Sequence, residues 1–339
     1  MSKMFFPMLA AAGVVFVSAA QATTVDPLPI MNGAAAIVLN NFESSGTDHI
    51  EGPLYVGGDL DFTGTFKYND DQVPELDIGG VQGGLVVGGD VNSSLSKSGA
   101  NPGATQIGGT YTGNANTGGL DLNDGVSGIP VAEMTSAFNE LSSDLQGLSD
   151  TVGSGVDTLV NNKKVISGAG DADGIAVLNL DETMALDMFS PMFNENINLV
   201  MDSGVSAFII NVAGEFFTGA NAINAQIFQN QRSTATKVIF NFYDALAIDF
   251  DSIFIGTLLA PNAVVNSAPG GSEGLLIAKD LIQDGEIRLL GGGGYTGILP
   301  PTTPPVEPPT TPVPLPAAGW ILLGGIATLG AMRKRKAAV

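Results

Sequence analysis

The sequence predicts a mainly β protein, folded as a right-handed β-solenoid with one long α-helix packed along its side. Short runs of Val, Ile, Leu and Phe, bounded by Gly, Asn and Asp, have the length and punctuation of strands. Several runs are continuously apolar, as expected for strands buried on both faces or stacked in a solenoid. A single segment has helical spacing instead. The candidate strands lie at residues 52–58, 84–90, 175–180, 207–214, 238–242, 253–260 and 274–278.

A weak repeat supports the solenoid. Tyr-Val-Gly-Gly-Asp at residues 55–59 is echoed by Val-Val-Gly-Gly-Asp at 86–90 and, more loosely, by Gln-Ile-Gly-Gly-Thr at 106–110. We expect the glycine pairs to permit left-handed corners that other residues resist. A corner repeated about every 20 residues suits stacked coils. No phosphate-binding loop follows these glycines, because the Lys-Ser/Thr of that motif is missing.

The helical segment runs from Pro130 to Ser149. Apolar residues recur there at steps of three and four, which predicts one buried stripe on a helix. Proline suits the first turn. We expect the stripe to pack against a sheet rather than against a membrane or a partner protein. Its members are Val131, Met134, Phe138, Leu141, Leu145 and Leu148.

The N-terminal residues 1–22 have the pattern of a secretory signal peptide. Lys3 supplies the positive start, an apolar stretch follows, and Ala20 and Ala22 form a small-x-small cleavage site. The main domain is then expected at residues 23–299. The proline-rich residues 300–316 favour extended polyproline and predict a semi-rigid stalk.

Residues 313–339 combine a proline motif, a short apolar segment and a basic cluster. Residues 317–332 fall short of the about 20 apolar residues that a membrane span needs, and the basic residues 333–336 would stay cytoplasmic. This predicts a transient membrane anchor, with a permanent single-span anchor as the alternative. The proline motif consists of Val313, Pro314, Leu315, Pro316 and Ala317.

This tail resembles the PEP-CTERM sorting signal in its VPLPA-type variant, with Leu315 where the usual motif has Glu. The resemblance implies processing by signal peptidase and by an exosortase near the proline motif. It also implies export across the inner membrane of a Gram-negative bacterium, to the cell surface or the extracellular matrix.

The amino-acid composition excludes several kinds of site and partner. Cysteine is absent, so no disulfide or thiolate metal site exists. Between the two processed ends there are 8 Lys and Arg and all 34 Asp and Glu, a formal charge of 8 minus 34, or −26. Such a chain is a poor nucleic-acid ligand, because attraction to phosphate dominates that affinity. Solubility, a saline habitat and cation binding each account for the acidity.

The domain resembles the choice-of-anchor A family, described as a bacterial surface adhesin domain similar to collagen-binding modules. The resemblance extends over the whole middle of the chain and implies no catalytic residues. The segments that carry it are residues 52–59, 210–214, 240–244, 256–263 and 295–300.

Few residues suggest site chemistry. His49 is the only histidine, which excludes multi-histidine metal sites and makes a histidine-dependent catalytic triad improbable. We expect it to be an exposed loop residue. We predict no catalytic residue and no bound cofactor. Calcium is the one candidate ligand, with oxygen donors at Asp121, Asp124, Asp171 and Asp173; ordinary turns are the alternative.

The sequence thus predicts an exported structural or adhesive protein that works through a surface. Extracellular polysaccharide, a surface protein and another cell are the expected partners, with no nucleic acid among them. An ice- or crystal-binding solenoid is an alternative, although it would need rows of threonine and the threonines are scattered. A carboxylate-based glycan hydrolase is a further alternative, because 34 acidic residues always supply a pair.

Overall fold

With two exceptions, the strand pairs in the described part of the chain are parallel. The computed structural model describes residues 25–301, apart from 45–48, 70–72, 97–102, 115–118, 161–162, 190–195, 220–221, 224–225 and 228–230. The signal peptide, most of the stalk and the sorting tail lie outside these residues. The antiparallel exceptions are two hairpins, β7–β8 (Leu76–Ile78, Val81–Gly83) and β13–β14 (Gly155–Val160, Lys163–Gly168).

The described residues form four helices and 24 strands. The helices are α1 Pro27–Gly33, α2 Val131–Gln146, α3 Glu182–Phe189 and α4 Arg232–Ala235. The other strands before α2 are β1 Ala36–Val38, β2 Phe42–Ser44, β3 His49–Ile50, β4 Leu54–Val56, β5 Leu60–Phe62, β6 Thr65–Tyr68, β9 Leu85–Val87, β10 Ser94–Leu95, β11 Thr105–Ile107 and β12 Leu122–Asn123. Those after the second hairpin are β15 Ile175–Leu180, β16 Asn196–Met201, β17 Ala207–Val212, β18 Phe216–Phe217, β19 Gln226–Ile227, β20 Val238–Asn241, β21 Ala247–Asp249, β22 Phe254–Asn266, β23 Ser272–Gln283 and β24 Ile287–Arg288.

The strands stack into three faces of a β-solenoid, as the sequence predicts. The first face has the order β12-β11-β9-β4-β1-β23-β22-β20-β17-β15. The second, which we call the outer face, has the order β5-β2-β23-β22-β21-β18, extended beyond β5 by bridges at Val91 and Tyr111. The third holds β10-β6-β3-β24 and β14-β16-β19.

The solenoid is discontinuous along the chain. β1, the first strand, lies in the middle of the first face, and coils wind outward from it to β12. The chain then crosses to the opposite end, and β15 begins a second series that winds back to β23. The two series meet at a seam, where Ala36 pairs with Leu276 and Ile50 with Ile287. Neighbouring coils at the seam are therefore about as far apart in sequence as the domain allows.

Aromatic and aliphatic side chains fill the interior. In the second series, Phe189, Phe217 and Phe242 form edge-to-face or tilted ring contacts at 5.1–6.4 Å, a geometry that adds to the burial energy. In the first series, the buried Tyr68 hydroxyl is hydrogen-bonded to Thr105 across two coils. Burial raises the pKa of Tyr68 to about 12, because the interior disfavours the charged phenolate.

Helix α2 covers the first face, as the apolar stripe predicts. Met134, Phe138, Leu141 and Leu145 are buried against outward-pointing apolar residues of that face. The 16 residues of α2 span about 24 Å, or about five strand spacings. The predicted bounds are too wide: Pro130 is the N-cap, and the helix ends before Gly147, a poor helix former.

An asparagine ladder ties α2 to the coils beneath it. Asn241 donates to Asn211, and Asn211 donates to Asn179, each at 2.9 Å. The same three amides donate to the carbonyls of residues 142, 145 and 148 at 2.7–3.1 Å. The buried amides of Asn211 and Asn241 therefore each donate one bond to the next coil and one to α2, as buried polar groups require. Asn179, which is half-buried, donates to Asp150 and to Leu148 just beyond the helix.

The repeated glycine pairs lie on the adjacent coils β4, β9 and β11, but the predicted reason for them is wrong. None of these glycines has a positive φ. They are needed because the coils approach too closely for a side chain. A Cβ at Gly57 or Gly88 would lie 2.3 Å from a backbone oxygen of the neighbouring coil, and one at Gly89 would lie 2.2 Å from Asp59 Oδ1.

Each of the seven predicted strand segments overlaps a strand of the structure, namely β4, β9, β15, β17, β20, β22 and β23. The mainly β solenoid with one long helix is therefore confirmed. β22 and β23 are longer than predicted because both continue around a corner from the first face to the outer face, with a register shift between Ala260 and Val264. No helix in the described part of the chain is both long enough and apolar enough to cross a membrane.

Candidate interaction surface

A ladder of side-chain oxygens runs along the corner between the first and outer faces. Asp280 accepts a hydrogen bond from the N–H of Asn41, at 3.0 Å. Asn41 accepts from Asp59 at 3.0 Å, and Asp59 from Asp90 at 2.7 Å. Asp90 accepts from Thr110, also at 2.7 Å. The acidic residue after each of the first two glycine pairs, Asp59 and Asp90, therefore joins its coil to the next.

The outer face presents its exposed side chains in rows. Glu43 stands beside Asp61 on one neighbouring strand and beside Ile282 on the other. Strands of a sheet lie about 4.8 Å apart, so a row repeats at that spacing. The first row is Thr112, Asn92, Asp61, Glu43, Ile282, Asn266 and Asp249; the second, at the corner, is Thr110, Asp90, Asp59, Asn41, Asp280, Val264, Ala247 and Phe216.

These rows divide the outer face into a polar part and an apolar part. The polar part lies on the first-series coils and on β23, and its carboxylates include Asp61, Glu43 and Asp90, all exposed. The apolar part is limited to the second row on β22, β21 and β18, where Val264, Ala247 and Phe216 follow one another, while Asn266 and Asp249 keep the first row polar on β22 and β21. Phe216 is 55% exposed there, and Leu246, just before β21, is 47% exposed. Together the rows hold six carboxylates and no cationic side chain.

The predicted calcium donors are not gathered in one place. Asp171 and Asp173 line a cavity of about 370 Å³ together with Asp202. Asp171 Oδ1 already accepts the N–H groups of Asp173 and Ile175, at 2.9 and 3.0 Å, and so shapes a turn. Asp121 and Asp124 lie at the far end of the first series, on either side of β12.

Only one group of three potential metal ligands converges in the described residues. His49, Glu51 and Glu286 place one ligand atom each within 4.8 Å of the others. The prediction of an exposed loop position for His49 is therefore wrong. His49 lies in β3 with its side chain 29% exposed, and its Nε2 is 2.6 Å from Glu286 Oε1.

The predicted processing residues lie outside the described residues, so the structure places none of them. The sequence pattern assigned a binding role to no residue of the outer face, although one signal for it was present. The acidic residues that follow the first two glycine pairs, Asp59 and Asp90, mark the corner row. The other exposed residues carry no motif, because a two-residue alternation in a three-residue strand is too short to read.

A β-solenoid with rows of exposed side chains on one face and a helix covering the adjacent face defines a class of protein that binds through a surface. Comparison with known families narrows this class to one family. Residues 27–289 match the family described as "Putative Ice-binding-like adhesive domain", and the chain belongs to that family. It is a family of adhesive domains rather than of enzymes, which indicates a location at a surface or outside the cell.

Curated proteins and solved structures do not narrow the function further. No curated protein matches the sequence. Among solved structures, the crystal structure of an ice-binding protein from the Antarctic ascomycete Antarctomyces psychrotrophicus is similar at 14% identity, with a TM-score of 0.36. That likeness covers 79% of this chain and 98% of the fungal one.

Proposed function

We propose that the protein is an extracellular adhesive that holds polysaccharide on the outer face of its solenoid. The observation that carries the proposal is the alignment of exposed side chains in two rows across successive coils. An extended polymer can contact several coils at once, and many weak contacts then act together through a high effective concentration.

The chemistry of the rows favours a neutral or amino-substituted polysaccharide. Carboxylates such as Glu43 and Asp61 accept hydrogen bonds from sugar hydroxyl or ammonium groups, and charge-assisted bonds are the stronger ones. Phe216 offers an exposed ring to the apolar side of a sugar. An anionic polysaccharide would meet like charge and would need a bridging cation such as calcium.

Direct binding measurements test this proposal. The full-length protein is titrated with a neutral glucan, an amino-sugar polymer and an anionic polysaccharide, each with calcium and with chelator. We expect the double variant Glu43→Gln, Asp61→Asn to weaken binding by about tenfold, a loss of about 1.4 kcal/mol. Asp144→Asn, on the exposed side of α2, is the matched control and should bind normally. Equal loss in both variants, or no binding to any polymer, would contradict the proposal.

Ice binding is a second candidate, favoured by the description of the family. The composition of the rows speaks against it. Thr110 and Thr112 are the only threonines in the two rows and lie together at one end, while carboxylates occupy the centre. Docking those carboxylates on ice would strip their hydration, which is costly without a partner. A measurement of thermal hysteresis distinguishes the two functions. Ice shaping at micromolar protein would favour ice binding over adhesion.

The export route is proposed from the sequence. Signal peptidase would remove residues 1–22, an exosortase would act near Val313–Ala317, and the apolar tail would anchor the chain transiently. The proline-rich residues would then separate the domain from the cell. The intact mass of the protein collected from outside its producer tests this, because a mass that retains residues 333–336 would exclude cleavage at the tail.

A further inference from the structure

The one converging set of ligand atoms in the described residues lies on the seam. His49 belongs to β3 in the first series of coils, and Glu51 follows it closely. Glu286 comes just before β24 in the second series. The two segments are paired through Ile50 and Ile287, both fully buried, and Glu51 N–H donates to Ile287 O at 2.9 Å. The backbone therefore fixes the positions from which the three side chains extend.

Protein contacts orient both carboxylates. Glu51 Oε2 accepts the N–H of Leu289 at 2.9 Å, and Glu286 Oε2 is paired with Arg288. The other oxygen of Glu286 faces His49 Nε2 at 2.6 Å. Contacts of this kind, made to the oxygen that does not bind the metal, are what orient carboxylate ligands in known sites.

We infer that His49, Glu51 and Glu286 form a binding site for a divalent transition metal ion of the zinc class. Tetrahedral ligands about 2.0–2.1 Å from zinc lie about 3.3–3.4 Å apart, and the three ligand atoms here are already within 4.8 Å of one another. Imidazole selects a transition metal over calcium, which takes oxygen ligands. Three protein ligands leave the fourth position to water.

A buried amide beside the set fits a metal-bound water. Gln283 is 1% exposed, and its Nε2 donates to the carbonyls of His49 and Gly285, at 3.4 and 2.8 Å. The amide thus lies between the two ligand-bearing segments. Its Oε1 has no hydrogen-bond partner among the described residues. A water held by the metal is a donor able to satisfy such an acceptor.

The site would clamp the two series of coils together. Its ligands come from segments that meet only in the folded state, so a bound ion stabilises the folded protein by mass action. Arg288 limits the affinity for the metal ion, because its positive charge is paired with Glu286, the same carboxylate that would bind the metal.

Metal binding to the full-length protein tests the inference. After treatment with chelator, Zn²⁺ is titrated calorimetrically, and Co²⁺ replaces it as a spectroscopic probe of imidazole ligation. We expect one ion per chain, a rise in melting temperature with Zn²⁺, and no comparable effect of Ca²⁺. Absence of the Co²⁺ signal, or binding no tighter than millimolar, would overturn the site.

Variants separate a metal site from a plain ion pair. His49→Gln and Glu51→Gln should each weaken Zn²⁺ by at least the roughly 10–100-fold loss seen when a group orienting a metal ligand is removed. Arg288→Gln should tighten it, since a competing positive charge is lost. Asp144→Asn, exposed on α2 and outside both proposed sites, is the control and should leave Zn²⁺ binding unchanged. Unaltered affinity in both ligand variants, checked as folded by circular dichroism, would refute the assignment.

Discussion

The two series of coils differ in how each coil is joined to the next. In the first series, strands are short, and the corners bring backbone against backbone, with Asp59 and Asp90 joining each coil to the next. In the second, strands are longer, and Asn211 and Asn241 join coils beneath α2. The first solution needs glycine, because there is no space for Cβ. The second needs a buried amide, because the helix covers the ladder.

This difference predicts that each series has its own weak point. A methyl group added at a corner should disrupt the first series alone, and loss of an amide should disrupt the second. Hydrogen exchange of individual strands can separate the two effects, because opening of one region need not open the other.

The largest effect is expected at the corner. In Gly89→Ala, the new Cβ would lie 2.2 Å from Asp59 Oδ1 and 2.7 Å from the Gly58 backbone. We expect a loss of about 3 kcal/mol or more in the free energy of unfolding, as for a steric clash without room to relax. Denaturant unfolding measures it. Gly270→Ala, where a Cβ meets nothing within 4 Å, is the control, and an equal loss there would contradict the explanation.

The ladder beneath α2 should give the next largest effect. Asn211→Ala removes the bond to Leu145 O and both bonds to neighbouring asparagines. Buried groups left without partners should cost about 2–3 kcal/mol. Exchange should quicken in β17 and β20 and stay slow in β4 and β9. Asn262→Ala, exposed in β22, should change little; protection lost uniformly over both series would argue against separate weak points.

Alkaline pH should weaken the first series. The folded state raises the pKa of Tyr68 from 10.0 to about 12, so folded protein holds this proton more tightly than unfolded protein does. The resulting stability is complete below pH 10 and is lost as pH rises through 12, by about 2–3 kcal/mol in total. Unfolding between pH 9 and 12 should show a shallower loss of stability in Tyr68→Phe than in Tyr243→Phe, whose side chain is only half-buried. Identical curves would exclude Tyr68 as the cause.

The smallest effect separates hydrogen bonding from charge in the corner row. Asp59→Asn keeps the Oδ1 that accepts from Asp90 and should leave stability within about 0.5 kcal/mol, whereas Asp59→Ala should lose about 1 kcal/mol. Thermal unfolding compares the two. A larger loss in the asparagine variant would mean that the negative charge, rather than the acceptor, holds the coils together.

Local sequence patterns were enough to predict the strands, the long helix and the repetition of the Gly-Gly corner on three coils. Each of these features depends on residues close in sequence. The seam was not predictable, because Ala36 and Leu276 carry no mark of their pairing. The rows of the outer face and the environment of His49 were not predictable for the same reason, because both depend on the pairing register of strands that are distant in sequence. The glycine corners were recognised for the wrong reason, since a close approach of two coils leaves no trace in the φ preference of one residue.

The seam also decides how the domain would respond to tension. Residues 294 and 295 donate to the carbonyls of Asn32 and Met31, at 3.0 and 2.9 Å, so both ends of the domain leave from its middle. A pull through residue 300 is therefore transmitted to the segment just before β1, a strand that has a neighbouring coil on both sides. A solenoid held at its last coil would instead peel one strand at a time. Because forced unfolding is governed by the barrier rather than by equilibrium stability, we expect attachment at mid-length to raise the unfolding force above that of a domain held at its last coil.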